Sequence, residues 1–113
     1  MDKTQLIQNT LMDIGVKPSL KGYNYLVYAI YNYHAYDCKM EALYLKMSKI
    51  YNATRGSIER AIRHCIENCV DRTMTHTTWT KYFSNTIDAD RGKPTNKEFI
   101  ACIVQYINTK EAK

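Results

Sequence analysis

The feature that most constrains the fold of this chain is the spacing of its apolar residues, which recur every three or four positions along almost its whole length. Such spacing places apolar side chains on one face of an α-helix, whereas the alternation typical of half-buried strands is nearly absent. Six helices are therefore predicted. Their apolar faces run from Leu6 to Ile14, from Tyr23 to Tyr33, from Met40 to Ile50, from Ile58 to Cys69, from Trp79 to Phe83 and from Phe99 to Ile107.

The length of the chain and its helix start and stop signals agree with one helical domain. Residues 1–113 suit a single domain, and we predict an all-α fold of six helices. Gly15, with Pro18 beyond it, ends the first helix, and Ser19 or Leu20 begins the second. Further boundaries are an N-cap at Thr54, a short fifth helix over Thr77–Ser84, a polar loop over Asn85–Lys93 and a capping box formed by Thr95 and Glu98.

The composition excludes several classes of protein. No stretch approaches the roughly 18 apolar residues that cross a membrane, and the N-terminus does not resemble a secretory signal, so a cytoplasmic location without membrane contact is expected. The four cysteines include no Cys-x-x-Cys pair and the three histidines are scattered, so neither a metal site nor a cofactor is predicted. Motifs for phosphate-binding loops and activated nucleophiles are absent, and we predict that the chain is not an enzyme.

The positive charge of the chain is concentrated in one segment. The net charge is +5, and from Lys46 to Arg63 five basic residues stand against the single acidic residue Glu59. A compact basic patch favours an anionic partner, for which nucleic acid is the usual candidate. The alternative is an ordinary basic face exposed to water.

The same segment has the pattern of a helix-turn-helix, over about residues 40–70. A helix of about three turns ends near Tyr51, a turn of about three residues follows, and a second amphipathic helix begins at Thr54. In such units the second helix presents its N-terminal half to the bases of the DNA major groove. The sequence therefore predicts a recognition helix over about residues 54–70.

The polar side of this predicted recognition helix carries groups that bind bases. Arg60 and Arg63 point outward, and an arginine side chain can bind guanine with two hydrogen bonds, whereas Glu59 can accept one from cytosine. Gly56 would allow the start of the helix to approach a DNA phosphate closely. The alternative is a surface ion pair between Glu59 and Arg63, four positions apart. Periodicity alone does not decide between these interpretations.

Three blocks of sequence resemble a known family. The run 51–64 (YNATRGSIERAIRH) resembles the recognition segment of the C-terminal effector domain of the response-regulator transcription factors that initiate sporulation in endospore-forming bacteria. Segments 14–16 and 21–23 (IGV and KGY) resemble the family's junction between the first two helices, and segments 93–96 and 98–101 (KPTN and EFIA) resemble the start of its last helix. The blocks fall in order, so the resemblance covers nearly the whole chain. Nothing resembles the family's receiver domain. The sequence is therefore either a fragment of a longer regulator or an independent protein without phosphorylation control, and its start at Met1 with a first helix favours the second.

The resemblance implies a transcriptional regulator whose six-helix domain carries a helix-turn-helix in helices three and four. It further implies that tandem copies bind double-stranded DNA at an element of the TGTCGAA kind. Ser57 stands where the family tends to have an arginine, so either Arg55 supplies the missing contact or the preferred DNA sequence differs. The candidate base contacts are Arg55, Ser57, Glu59, Arg60 and Arg63, and the candidate phosphate contacts are Lys49, Thr54, Gly56, His64, Arg72, Lys81 and Lys93.

A tyrosine-rich stretch over Tyr23–Tyr36 keeps a second function open. Its six tyrosines cannot all face one core, and tyrosine is enriched at protein interfaces. Partners for such a surface would be the transcription machinery or a full-length regulator of the same family. Under this alternative the chain is a protein-interaction module that keeps the fold, antagonises the full-length regulator and does not read DNA.

Overall fold

Six α-helices make up most of the chain in the computed structural model, which describes residues 2–83 and 92–111. A 3₁₀ turn over His34–Tyr36 precedes the third helix, and a π-helical turn over Cys69–Thr73 follows the fourth. No strand occurs among the described residues, and the prediction of an all-α fold with six helices is confirmed. The helices are α1 (Lys3–Ile14), α2 (Tyr23–Asn32), α3 (Met40–Tyr51), α4 (Arg55–Asn68), α5 (His76–Tyr82) and α6 (Asn96–Glu111).

Both ends of α1 are capped by neighbouring residues. The carboxylate of Asp2 accepts a hydrogen bond of 2.8 Å from the N–H of Gln5, one of the first helical N–H groups that lack a partner within the helix. At the other end Gly15 adopts a left-handed conformation (φ 105°), and its N–H donates to the carbonyls of Leu11 and Met12. The predicted end of the first helix at Gly15 is confirmed.

The second helix begins at Tyr23, so the prediction that it begins at Ser19 or Leu20 is wrong. The preceding residues form turns, the last closed by a hydrogen bond of 3.1 Å from the N–H of Tyr23 to the carbonyl of Leu20. The physical reason lies at Gly22, where an added Cβ would overlap the carbonyl of Ala61 in α4. The chain completes its turn against α4 before the helix starts.

The connection between α3 and α4 consists of the three residues Asn52–Thr54. Asn52 is left-handed (φ 51°) and its N–H donates to the carbonyl of Ser48, which ends α3. The Thr54 hydroxyl oxygen accepts a hydrogen bond of 3.0 Å from the N–H of Ser57. The predicted turn of about three residues and the predicted N-cap at Thr54 are both confirmed.

One member of the predicted apolar face of α3 lies outside the core. Leu43 and Met47 are buried, but Ile50 is 49% exposed. Ile50 stands seven positions after Leu43 and therefore on the same side of the helix. The last turn of α3 extends beyond the core against which the helix packs, so the apolar face predicted from spacing is one residue too long.

The fourth helix continues into the π-helical turn, which is anchored to the end of α1. The Thr73 hydroxyl donates to the carbonyl of Gly15 (2.6 Å), and the Cys69 thiol lies 3.5 Å from the carbonyl of Ile14. A hydrogen bond from the N–H of Met74 to the carbonyl of Cys69 (2.8 Å) closes the turn. The C-terminal end of α4 is thereby fixed relative to α1.

The fifth helix begins earlier than predicted. It spans His76–Tyr82 rather than Thr77–Ser84, because Thr75 caps it by accepting a hydrogen bond of 3.2 Å from the N–H of Thr78. Trp79 is only partly buried, although its burial was predicted, whereas Phe83 is fully buried and its ring stacks on that of Phe99 at 5.3 Å. Ser84 and most of the predicted loop over Asn85–Lys93 lie outside the described residues.

The capping box of α6 is confirmed by two reciprocal hydrogen bonds. The N–H of Thr95 donates to the Glu98 carboxylate (2.9 Å), and the N–H of Glu98 donates to the Thr95 hydroxyl oxygen (3.2 Å). The predicted inner face of α6 is buried at all five positions, Phe99, Ile100, Ile103, Val104 and Ile107.

The hydrophobic core lies where α2, α4 and α6 pack against one another, with α1, α3 and α5 closing it. Because α4 contacts α2, α3 and α6, only its remaining side faces outward. No helix within residues 2–83 and 92–111 has the length and apolar character needed to cross a membrane.

Candidate nucleic-acid interface

The orientation of α4 is fixed by its apolar face. Ile58, Ile62 and Cys65 are fully buried and Ile66 nearly so. Burying a large aliphatic side chain contributes on the order of 1.5–3 kcal/mol, so rotation of α4 about its axis would cost several such contributions. The polar face of α4 is therefore held outward by the packing on its other side.

A side chain of α6 connects the start of α4 to α3. The amide of Asn96 donates to the backbone carbonyl of Glu59 (3.1 Å) and to the hydroxyl of Tyr44 (3.0 Å). Burial raises the pKa of the Tyr44 hydroxyl, and the hydrogen bond from Asn96 acts in the opposite direction. Sequence analysis did not single out Asn96, and its only signal was the polar residue next to the Thr95 cap. The side-chain amide of Asn96 thus links α3, α4 and α6 beside the basic segment.

Arg60 differs from the other arginines of α4 in having no acidic partner among the described residues. Its side chain is exposed and forms no ion pair with any residue in the described ranges. Among the described residues, a Cβ added to Gly56 would meet only the Arg60 guanidinium, at 3.5 Å, so none of them requires glycine at that position. Arg60 and Gly56 therefore form an open surface on the N-terminal half of α4.

The other two arginines of α4 are paired with acidic residues. Arg63 binds the Glu59 carboxylate at 3.0 Å, which is the surface ion pair that the sequence offered as an alternative to base contact. Arg55 lies 3.7 Å from the Glu41 carboxylate. In the second pair the side chains are 57% and 84% exposed. Exposed ion pairs contribute roughly 0–1 kcal/mol, so exchange of these acidic partners for a phosphate or a base costs little.

Ser57 has a structural task at the helix start. Its hydroxyl donates to the Thr54 carbonyl (2.9 Å), while its N–H donates to the Thr54 hydroxyl oxygen (3.0 Å).

The N–H of Gly56 makes no hydrogen bond to any described residue and is one of the unpaired N–H groups at the start of α4. Such unpaired N–H groups, together with the helix dipole, favour an anion at this end of α4.

Three of the predicted phosphate contacts on or near α4 form no ion pair within residues 2–83 and 92–111. Lys49 is exposed in the last turn of α3, and His64 is exposed on α4. Arg72 is likewise exposed, in the π-helical turn beyond α4. All three can reach a partner outside the protein.

Lys93 and Lys81 are engaged with carboxylates. Lys93 binds Asp71 at 2.9 Å, and this hydrogen bond raises the pKa of Lys93. Lys81 binds Asp13 at 3.3 Å, and its ammonium lies over the Tyr82 and Tyr106 rings at 5.1 and 5.8 Å. The contacts of Lys81 are thus with α1 and α6, and the structure does not join it to the cluster on α4.

An open groove runs between the polar face of α4 and the start of α6. Its volume is about 550 Å³, and Arg63 and Lys93, two predicted contacts, both line it. Lys97 also lines the groove, although sequence analysis passed over it because a single lysine carries no pattern. Glu59 and Glu67 line the groove as well, so its three cations face two carboxylates and leave a small excess of positive charge. Such an excess favours a phosphate backbone.

The thiols of α4 have no part in this surface. Cys65 and Cys69 are fully buried, and burial raises the pKa of both, that of Cys69 to about 11. The described residues contain no group of three histidine, cysteine, aspartate or glutamate side chains that could hold a metal ion.

The chain was compared with models of known protein families. The family described as "Sporulation initiation factor Spo0A C terminal" matches residues 7–107. The match begins within α1 and ends within α6, so it contains the whole of α2 to α5 and the groove beside α4. The chain therefore belongs to the family of C-terminal domains of the sporulation transcription factor Spo0A, which are DNA-binding domains and not enzymes.

Proposed function

We propose that this domain recognises a specific sequence of double-stranded DNA by placing the N-terminal half of α4 in the major groove. The observation that carries the proposal is the exposed face of α4, where Arg60 has no ion-pair partner in the described ranges and Gly56 leaves space beside it. An unpaired arginine at this place can bind guanine with two hydrogen bonds. In this arrangement α3 and α4 act as the helix-turn-helix, over about residues 40–70.

The remaining base contacts would form by exchange of partners. Arg55 and Arg63 would release Glu41 and Glu59 when DNA binds, because both pairs are exposed and weak. Glu59 would then be available to accept a hydrogen bond from a cytosine amino group. Ser57 would contribute least, since its hydroxyl already binds the Thr54 carbonyl.

Phosphates would be bound on both sides of α4. The N–H of Gly56 and the hydroxyl of Thr54 would bind one phosphate at the helix start, since unpaired helical N–H groups favour anions. Basic side chains around the helix would neutralise others, namely Lys49, His64, Arg72 and Lys93, and Lys81 on α5 would neutralise a more distant phosphate. We propose that two copies bind tandem elements on one DNA duplex, in the cytoplasm, where they would also meet the transcription machinery.

Fluorescence anisotropy tests the proposal directly. A labelled duplex with two tandem TGTCGAA-like elements is compared with a scrambled duplex at several salt concentrations. We expect at least about tenfold tighter binding to the tandem elements, and a preference that persists as salt rises. Equal binding to both duplexes, steeply weakened by salt, would show phosphate attraction without base recognition. A selection from random sequences then separates a different operator from none.

A second candidate function rests on an aromatic groove away from α4. This groove, of about 450 Å³, is lined by residues that include Val27, Tyr28, Tyr31 and Tyr51, and α2 has no charged residue along its length. Such a surface suits a protein partner, for which we name a full-length regulator of the same family. If neither duplex binds at low salt and Tyr31→Ala weakens binding to that regulator, the antagonist function replaces DNA recognition.

A further inference from the structure

Three of the basic side chains proposed to bind DNA each lie against a carboxylate of the domain itself. The pairs are Arg63 with Glu59 at 3.0 Å, Arg55 with Glu41 at 3.7 Å and Lys93 with Asp71 at 2.9 Å. Glu59 is itself a proposed base contact, whereas Glu41 and Asp71 are not. Glu41 lies in the first turn of α3, and Asp71 lies in the π-helical turn that follows α4. These two carboxylates thus reach the candidate interface from elements other than α4.

The stability of the fold does not explain Glu41 and Asp71. Within the described part of the chain neither carboxylate caps a helix, and both side chains are at least half exposed. Ion pairs between exposed side chains stabilise a fold little, because water screens them. The effect of the two carboxylates falls instead on the charge that Arg55 and Lys93 present to a partner.

Both cations have room to leave their carboxylates. The Arg55–Glu41 pair is long, at 3.7 Å, and its side chains are largely exposed. Lys93 lines the groove beside α4, and it also lines a second open groove, of about 330 Å³, which Asp71 borders. The flexible side chain of Lys93 can therefore turn from Asp71 towards a phosphate in the groove beside α4.

The strengths of the competing contacts decide where each cation goes. An exposed ion pair changes an equilibrium by roughly one- to fivefold. One phosphate contact on double-stranded DNA raises affinity by roughly eightfold at 0.1 M salt compared with 1 M, so a cation that gives up its carboxylate for a phosphate gains little. A two-bond contact between arginine and guanine changes affinity by roughly 5- to 150-fold and exceeds the ion pair. Pairing therefore cancels much of the attraction to phosphates and leaves base recognition favourable.

We propose that Glu41 and Asp71 are specificity-determining residues, which keep Arg55 and Lys93 from binding phosphates on DNA of arbitrary sequence. On a duplex without the preferred element both cations remain with their carboxylates. On the preferred duplex the base contacts of α4 fix the domain in place, and both cations exchange their carboxylates for DNA. The inference rests on the proposed recognition of DNA by α4, and it assigns part of the selectivity to two residues that need not touch DNA.

Anisotropy titrations of Glu41→Gln and Asp71→Asn on the preferred and the scrambled duplex test this inference. Both substitutions keep the size of the side chain and remove its charge. At about 0.1 M salt each should tighten binding to the scrambled duplex by about eightfold, the value of one more phosphate contact, and binding to the preferred duplex by only about twofold, the value of the lost ion pair. On the scrambled duplex the slope of log affinity against log salt concentration should steepen by about 0.9.

Two controls separate local pairing from net charge. Glu111→Gln removes an exposed carboxylate at the last residue of α6, away from the groove at the start of that helix, and should change neither the preference nor the slope. When Arg55→Ala is added to Glu41→Gln, the gain on the scrambled duplex should disappear, because no released guanidinium remains to bind a phosphate.

Failure of the proposed function and failure of this inference have different signatures. If the unsubstituted domain binds both duplexes equally, or neither, base recognition by α4 fails and the inference fails with it. If the unsubstituted domain prefers the tandem elements but Glu41→Gln and Asp71→Asn tighten binding to the scrambled duplex no more than Glu111→Gln does, the inference alone is overturned. An equal gain on both duplexes would also overturn it, because the carboxylates would then weaken DNA binding without selecting a sequence.

Discussion

At the scale of single residues, the arginines of α4 differ in whether they have an acidic partner. Glu59 forms an ion pair with Arg63 at 3.0 Å, and Glu41 forms one with Arg55 at 3.7 Å. Arg60 has no ion pair among the described residues. An arginine without an acidic partner binds a base without first losing an ion pair. Arg60 should therefore contribute more to sequence preference than either neighbour.

Substitution of Arg60 tests this ranking. Arg60→Ala should weaken binding to the preferred duplex by about 1–3 kcal/mol and relax the preference at one base pair, because a two-bond contact to guanine is lost. Arg60→Lys keeps the charge but not the paired donors, so it should retain affinity for scrambled DNA while losing preference. Both quantities come from anisotropy titrations. A uniform loss on every duplex with Arg60→Ala would instead identify a phosphate contact.

At the scale of elements, Gly22 and Gly56, which both lie at the start of a helix, have opposite roles. Gly22 lies where α2 meets α4, and a Cβ there would overlap the Ala61 carbonyl and lie 2.9 Å from the Cys65 sulfur. Gly56 is exposed on α4, and a Cβ there would meet only the flexible end of Arg60. The first glycine is required by the fold, and the second is available for a close approach from outside.

The pair Gly22→Ala and Gly56→Ala separates these roles by urea unfolding. Gly22→Ala should destabilise the domain by about 1–3 kcal/mol or more, because a backbone carbonyl cannot move aside as a side chain does. Gly56→Ala should leave stability unchanged or raise it by up to about 1 kcal/mol, since alanine favours helix over glycine. The same Gly56→Ala variant should bind DNA more weakly. Unchanged DNA affinity would show that no phosphate approaches this position closely.

The two glycines also explain how far the sequence predicts the elements. The end of α1 at Gly15 and the start of α6 at Thr95 could be predicted from sequence, because a capping residue and the helix that it caps are neighbours in the chain. The start of α2 depends on contact between Gly22 and Ala61, residues distant in sequence, so spacing alone placed it too early. On the candidate interface the exposed face of α4 followed from its periodicity. The hydrogen bond from Asn96 to the Glu59 carbonyl spans 37 positions, and a polar residue beside the Thr95 cap was its only local signal.

At the scale of the whole molecule, the basic residues form a surface only where the tertiary fold brings them together. Arg63 of α4 and Lys93 before α6 line one groove, and Lys97 extends it. Lys81 instead binds Asp13 beneath the other end of α6. The net charge of +5 therefore does not by itself give the number of phosphates that one DNA duplex meets at this surface.

The salt dependence of binding measures how much of this charge is used. Each cation that neutralises a phosphate of double-stranded DNA adds about −0.9 to the slope of log affinity against log salt concentration. Lys93→Ala should reduce the size of that slope by about one, because one phosphate is no longer neutralised. Lys81→Ala tests whether the interface extends to α5. Lys3→Ala is the charge-matched control, since its ammonium lies over the Tyr31 ring of α2. An unchanged slope with Lys93→Ala would move the DNA backbone away from this groove. An equal reduction with Lys3→Ala would mean that net charge, rather than position, sets the affinity.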